Sequence, residues 1–391
     1  MDYTVDEVMK YIEEEDVKFI RLAFRDAYGI QKNISVMPEE VKEAFDHGAP
    51  INVKDIAGFA DCPYGSLYLR PDPDTMSILP WRPDTGRVMR LFCDLYAPDG
   101  QVYGSDTRVI LKNAIAHAKE KGIEFRFGSE NEFYLFIKDD EGRPTKIPYD
   151  SAGYLDIAPA DKCENIRREI NLTIERMGLT PMRSHHERGP GQNEIDFRHS
   201  KPLKAADQMT TFKMVVSTIA DRYGLVADFS PVPLPGGPGN GYHINVFATD
   251  GSGQDFVKYA AAGIMEKISD ITVFLNPTNA SYMRLGDNYA SDKIRWSGES
   301  ETELMYIDTS RGQTSVKLRS PDASGNPYLV YALLIHAGLL GIEKKLVLPE
   351  EMEDGKGILP ASIKEAGKIA SGSDFVKSIV PEEIIKEYVR S

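Results

Sequence analysis

The stretch Phe127-Gly128-Ser129-Glu130-Asn131-Glu132-Phe133-Tyr134-Leu135-Phe136 limits the possible folds more than any other in the chain. Aromatic and aliphatic residues flank two carboxylates spaced two apart, and the run reads as a buried β-strand. Residues i and i+2 of a strand share a face, so Glu130 and Glu132 point the same way. Two like charges on one face of an apolar strand are costly unless something positive stands between them. A divalent cation would remove that cost, because hard cations favour carboxylate oxygens. The competing reading is a strand with a wetted polar edge, and the rest of the chain has to decide between the two.

At 391 residues the chain has room for two or three domains and a sizeable core. The net charge of −14 gives no support for a nucleic-acid partner or an anionic membrane surface. No apolar run approaches ~18 residues, so no spanning helix is expected. The start, Met1-Asp2-Tyr3-Thr4, lacks the basic and apolar regions of a signal peptide. Cys62, Cys93 and Cys163 are far apart and fit neither a zinc spacing nor a disulfide framework, which points to a reducing cytoplasm.

Along the chain, residues 4–16 read as a helix with Thr4 as cap and Glu7 three positions later. Strands are expected over 17–24 and 32–37 with a turn between them, then a short helix over 38–47. From 50 to 105 the chain is rich in Pro, Gly and Asp, with strand pieces at 75–80 and 87–95. A composition shift near 105 divides residues 1–104, a small β-containing domain, from residues 105–391. In the second part, helices are expected over 106–121, 160–177, 202–223, 254–270 and 327–345. Strands are expected around Glu130, over 192–197, over 226–229 and over 242–247. The pattern predicts an α+β domain with one curved antiparallel sheet that carries its polar residues on one concave face.

Four segments then offer hard ligands: Glu130 with Glu132, Glu187, Glu194 and His243. Taken singly, each has an ordinary structural explanation, such as an ion pair between Glu194 and Arg198. Together on one sheet they favour a metal site. Gly239-Asn240-Gly241 just before His243 would let the backbone approach a ligand closely.

These residues, taken with several others, resemble bacterial-type glutamine synthetase. The resemblance runs from residue 4 to about 345. It is carried by Val17-Lys18-Phe19-Ile20-Arg21-Leu22, Gly128-Ser129-Glu130-Asn131-Glu132-Phe133, His186-Glu187 and Gly191-Gln192-Asn193-Glu194-Ile195. It continues through Gly239-Asn240-Gly241-Tyr242-His243, Asn276-Pro277-Thr278, Ser281-Tyr282-Met283-Arg284-Leu285, Arg319-Ser320-Pro321-Asp322 and Asn326-Pro327-Tyr328. It implies a small N-terminal β-grasp-like domain, a larger α+β catalytic domain, and homo-oligomeric rings with shared active sites. It also implies Mg2+ or Mn2+: Glu132, Glu187 and Glu194 match the ligands of a first ion, and Glu130 and His243 match two ligands of a second. Gly239 and Arg284 match groups that contact an amino-acid substrate, and Arg319 matches an arginine beside the reacting carboxylate.

The chain also departs from the family. The third ligand of the second ion is replaced by Lys317. Ser300-Glu301-Thr302-Glu303 stands where the family has a phosphate-binding arginine, at Glu301. Further family positions read Tyr306, Ser315, Asn245, Phe247 and Ala290, and Asn52 stands where an ammonium-site aspartate is expected. The tail after Lys345 is shortened. These departures fall on the nucleotide, the second ion and the ammonium site, so one ion is expected and ATP use is in doubt. Three readings follow. One is a homologue that does not form glutamine and keeps a metal pocket for an amino-acid-like carboxylate. Another is an ATP-dependent ligase in which Lys293, Arg295 and Arg311 replace the missing arginines. The third is a non-catalytic scaffold.

Overall fold

The computed structural model describes residues 3–287, 289–310, 312–353 and 357–390. The chain opens with α1 (Val5–Glu14), β1 (Val17–Arg25), β2 (Gln31–Val36) and α2 (Pro38–Asp46). Four strands follow: β3 (Ala49–Asn52), β4 (Ser66–Pro71), β5 (Ser77–Ile78) and β6 (Arg87–Tyr96). Thr4 and Glu7 close a reciprocal capping box on α1, and Pro38 stands in the first turn of α2. The sheet order is β2-β1-β6-β4-β3, with β5 also on β6 and with β1 and β6 parallel. Val8, Ile20, Leu22, Val41, Leu67, Leu69 and Leu91 pack α1 and α2 against one face of this sheet.

The larger part begins with α3 (Thr107–Glu120), β7 (Ile123–Lys138), β8 (Pro144–Pro148) and α4 (Glu164–Arg176). It continues with β9 (Pro181–His186), β10 (Gln192–Ser200), α5 (Pro202–Arg222), β11 (Leu225–Asp228) and β12 (Tyr242–Asp250). Next come α6 (Val257–Leu275), α7 (Asn279–Arg284), β13 (Trp296–Ser297), β14 (Met305–Asp308) and β15 (Ser315–Leu318). The helices α8 (Pro327–Lys344), α9 (Ile363–Gly372), α10 (Asp374–Lys377) and α11 (Glu382–Arg390) end the chain. The sheet runs β13-β14-β15-β12-β7-β10-β9, and both β8 and β11 also pair with β7. Among the described residues, only the short β13–β14 pairing of this sheet is parallel. The Glu130 strand is therefore the central strand, and its sixteen residues bind neighbours on both sides.

Behind the sheet, α6 and α8 cross so closely that a Cβ on Gly341 would lie 2.0 Å from the Tyr259 carbonyl oxygen. Ile166, Ile170 and Ile174, the spacing-four set of α4, are buried in the same core. That helix starts at Glu164 rather than at 160. The carboxylate of Asp161 accepts from the Cys163 N–H at 2.8 Å and pairs with Arg167 at 2.5 Å, which holds the preceding residues outside the helix.

The sequence reading omitted β3, β4, β8, β9, β13, β14, β15, α7 and every helix after residue 345. The tail packs α9 on α6 and α11 on α9. From α11, Tyr388 donates to the Ala27 carbonyl at 3.0 Å, and Tyr103 donates to Glu383 at 2.9 Å. A second tie between the two sheets is Arg108 of α3. It reaches Asp72 at 2.7 Å, Asp94 at 2.6 Å and Asp207 of α5 at 3.1 Å. No helix among the described residues is long and apolar enough to cross a membrane.

Candidate metal and carboxylate site

Strand register gathers the acidic groups. Glu130 stands opposite Asp196 of β10 on one side and His243 of β12 on the other, and Glu132 stands opposite Glu194. His185 of β9 is the next partner of Glu194. Glu187 follows directly after β9, where buried His186 fixes the backbone. The His186 ring pairs with Asp150 at 2.9 Å through Nε2 and with the Glu187 carbonyl at 2.7 Å through Nδ1. Burial opposes a charged His186, but the Asp150 contact and the Glu187 carbonyl bond together outweigh it and raise the ring's pKa.

All eight residues singled out from the sequence (Glu130, Glu132, Glu187, Glu194, Gly239, His243, Arg284 and Arg319) line one cavity of about 180 Å³. Gly239 has no room for a side chain, because a Cβ there would lie 2.7 Å from Cγ of Arg284. Glu132 is held by the Gly241 N–H at 2.8 Å and by Gln192 at 3.2 Å. Arg284 donates to the carbonyls of Ser320 and Pro321, and Arg319 donates to the Tyr289 carbonyl at 3.4 Å. The Nε atoms of both arginines are buried and have no hydrogen-bond partner among the described residues.

The cavity has two electrostatic halves. In the first, His185, Glu187 and Glu194 each place a ligand atom within 4.8 Å of the others. Burial, followed by the charge of Glu187, pushes Glu132 up to about 7. Burial together with the charges of Glu132, Glu130 and Glu187 pushes Glu194 up to about 8. Crowded, buried carboxylates beside an imidazole are the donor set a hard divalent ion favours. These residues fit such an ion, held by His185, Glu187 and Glu194 with Glu132 beside them.

The second half already contains its own cation. Lys317 Nζ lies 2.6 Å from Glu130 and 3.0 Å from Glu301. Glu130 also meets His243 Nδ1 at 3.1 Å and Arg183 at 3.5 Å. Burial disfavours the Glu130 charge, but the His243 hydrogen bond and the Lys317 ammonium hold its pKa well below the usual range. Burial and the neighbouring Arg319 push His243 down to about 3. A carboxylate saturated by an ammonium, a guanidinium and an imidazole does not fit a second divalent ion.

Several other departures also have local partners. Arg295 grips Glu303 with two of its nitrogens, one contact at 3.0 Å, so it is not available as a replacement phosphate ligand. Lys293 bridges to Ile358 through its backbone, and Arg311 lies outside the described residues. Phe247 packs on the His199 ring at 4.5 Å, and Asn52 turns its side chain to the Lys54 N–H at 3.1 Å. Glu194 pairs with Arg183 at 3.6 Å and His185 at 3.4 Å, where the sequence had suggested Arg198.

The family profile described as the glutamine synthetase catalytic domain matches residues 104–391, and the profile described as the glutamine synthetase β-grasp domain matches residues 16–98. The chain belongs to the glutamine synthetase family. A glutamine synthetase of Clostridium saccharobutylicum is 39% identical over 414 residues, covering 99% of this chain and 94% of the relative. One from Methanosarcina mazei is also 39% identical, covering 99% and 92%. Staphylococcus aureus supplies another at 36% identity, covering 100% and 94%. A solved structure described as a GmaS/ADP complex in conformation 1 superposes with a TM-score of 0.88, at 22% identity, over 100% of this chain and 94% of that one. A second, described as apo GmaS without ligand, gives 0.87 at 23% identity over 98% and 94%. Both share the glutamine synthetase fold, including the β-grasp sheet and the curved catalytic sheet.

Within this glutamine synthetase frame, the sequence reading missed His185, Arg183, Arg188, Tyr154 and Tyr289, which also line the cavity. His185 was visible in Arg183-Ser184-His185-His186-Glu187, two positions before Glu187. A strand assignment there would have placed it on the Glu187 side of the sheet.

Proposed function

We propose that this glutamine synthetase-family chain works with one Mg2+ or Mn2+ ion on a small amino-acid-like carboxylic acid, and that it does not form glutamine from ATP. The observation that carries the reading is the Glu130–Lys317–Glu301 triad, an internal ammonium at 2.6 Å and 3.0 Å from two carboxylates. Phosphoryl transfer relies on metal ions and cationic clamps around the transferred group. Here Glu301 adds a negative charge near the cavity, and Arg295 is committed to Glu303.

In this proposal, His185, Glu187 and Glu194 hold the ion beside Glu132. A bound ion of this kind supplies Lewis-acid polarisation of an oxygen. Arg284 and Arg319, which line the cavity, take the carboxylate of the substrate. Gly239 lets the backbone approach it. Gln192 and the Gly241 N–H keep Glu132 oriented toward the cavity. The active form is a homo-oligomer, as the family resemblance implies.

A second reading has specific support: the full-length relatives are named glutamine synthetases, and one structural neighbour carries ADP. In that case the chain is an ATP-dependent ligase with rebuilt nucleotide contacts. Calorimetric titration separates the two. The primary reading expects one Mn2+ per chain and no ATP binding at saturating Mn2+. Tight ATP binding, with phosphate release dependent on glutamate and an amine, would establish the second reading in its place.

A further inference from the structure

One carboxylate outside the cavity holds both ends of the turn that carries Glu187. Asp150 stands in the connection between β8 and α4, and its side chain is fully buried together with that of His186. Its Oδ1 accepts from His186 Nε2 at 2.9 Å and from the Gly191 N–H at 2.8 Å. His186 is the last residue of β9, and Gly191 directly precedes β10. A single oxygen therefore ties the two ends of the β9–β10 turn. The other oxygen, Oδ2, accepts from the Lys162 N–H at 3.0 Å and from the Cys163 thiol at 3.3 Å, just before the start of α4.

Asp150, Asp161 and Cys163 place ligand atoms within 4.8 Å of one another, which by itself would suit a second ion. Their existing donors weigh against one. Asp150 already accepts four hydrogen bonds. Asp161 accepts from the Cys163 N–H at 2.8 Å and pairs with Arg167 at 2.5 Å. Carboxylates whose oxygens are occupied by N–H groups and a guanidinium have little left for a cation. The cluster acts as a brace.

Two arms lead from this brace to the cavity. The first runs through His186, whose Nδ1 donates to the Glu187 carbonyl at 2.7 Å. A carboxylate and a carbonyl only accept, so both ring nitrogens donate and the ring cannot turn without losing a bond. The second arm runs through Gly191 to Gln192, whose Nε2 donates to Glu132 at 3.2 Å. The Glu187 N–H donates to the Gln192 carbonyl at 2.8 Å, so the arms meet across the turn. Neither Asp150 nor His186 is among the cavity-lining residues.

We propose that Asp150 is a positioning residue for the divalent ion, which it serves from outside the cavity by setting Glu187 through His186 and Glu132 through Gly191 and Gln192. This inference rests on the one-ion reading of the site. Groups that orient metal-ligating side chains are worth about ten- to a hundredfold in metal affinity. Asp150→Asn keeps the shape of the side chain and turns two acceptor sites into donors. Whichever way the amide faces, either the two arms or the two bonds beside α4 lose their acceptor.

The test is isothermal titration of Mn2+ into the full chain, with melting temperatures measured alongside. Asp150→Asn and His186→Gln are each expected to bind Mn2+ at least about tenfold more weakly than the wild type. The double variant should match the weaker single variant within about twofold, because His186 acts in series with Asp150. Gly341→Ala, at the crossing of α6 and α8, serves as a chain weakened away from the turn. It should keep the wild-type affinity within about twofold whatever its melting temperature.

Failure of the wild type to bind Mn2+ would overturn the one-ion reading and this inference with it. If the wild type binds, unchanged affinity in Asp150→Asn would overturn the positioning role and leave the ion site standing. Multiplied losses in the double variant, or an equal loss in Gly341→Ala, would do the same. Should Asp150→Asn not fold, the affinity of His186→Gln decides alone. Failure of both to fold would assign the pair to the fold instead of the ion and overturn the role.

Discussion

Lys317 and Glu301 have to be considered together. From the sequence, each puts the wrong sign of charge where the family has a ligand or a phosphate contact. In the folded chain the Lys317 ammonium stands between the Glu301 and Glu130 carboxylates and contacts both. Lys317→Met would leave Glu130 facing His243 and Arg183 without its nearest cation. Removing one partner of a buried pair is strongly destabilising, so a loss of about 3 kcal/mol is expected in chemical denaturation. An unchanged midpoint would show that the ammonium is not what stabilises Glu130. In the ion cluster, Glu187→Ala should abolish Mn2+ binding in calorimetry, and unchanged affinity would remove Glu187 from the site. Away from the cavity, Asp106 caps α3 and accepts from the Leu95 N–H at 2.8 Å. Burial and the neighbouring Asp94 push it up to about 7. A carboxyl with a raised folded pKa adds stability while protonated, and that contribution is lost as pH rises from about 4 through about 7. Asp106→Asn keeps the cap without the charge. Its melting temperature relative to the wild type should therefore climb between pH 5 and pH 8, and a parallel pair of profiles would contradict the assignment.

Among the elements, the closest packing belongs to α6 and α8. Gly341→Ala drives a methyl against the Tyr259 carbonyl at 2.0 Å, with backbone on both sides and little room to relax. Overpacking of this kind costs about 1–3 kcal/mol, so a lowered melting temperature with the fold retained is the expected outcome. Neutral behaviour would mean that the two helices can separate. The same contrast between local pattern and tertiary contact explains what could be read from the sequence. β7, β10 and β12 were legible because alternation and turn residues mark them locally. The carboxylates on them could be grouped for the same reason, since a shared strand face follows from spacing alone. β3, β4, β14 and β15 have only four to six residues each, too few for a local pattern to stand out, and their place in a sheet is set by their pairing partners. The Lys317–Glu301 contact spans 16 positions and two different segments, so no local rule could find it. Arg188 was overlooked because its guanidinium lies against the Tyr154 and Tyr289 rings, which only the folded loops bring to it.

For the whole molecule, the two sheets are joined by Arg108 with its three aspartates and by α11 across the β-grasp side. Deleting residues 381–391 would remove the Tyr388 and Glu383 contacts and uncover Tyr28, which stacks near Tyr388 with ring centres 5.3 Å apart. Calorimetry of that truncated chain should show an early transition of the small sheet separated from the main one. A single transition at the original temperature would show that the remaining ties, Arg108 with the Arg90–Thr211 and Asn326–Ala27 bonds, suffice to couple the two.

The Tyr388–Ala27 bond closes a loop of 361 positions. Domains fold during synthesis largely in the order in which they emerge. The ion cluster and its strands are complete long before residue 388 leaves the ribosome. For the last stretch of translation, the nascent chain carries a finished acidic cavity on a frame that is not yet fastened. A chain interrupted in that interval would carry its acidic cavity and still be open to proteolysis at the Tyr28 turn.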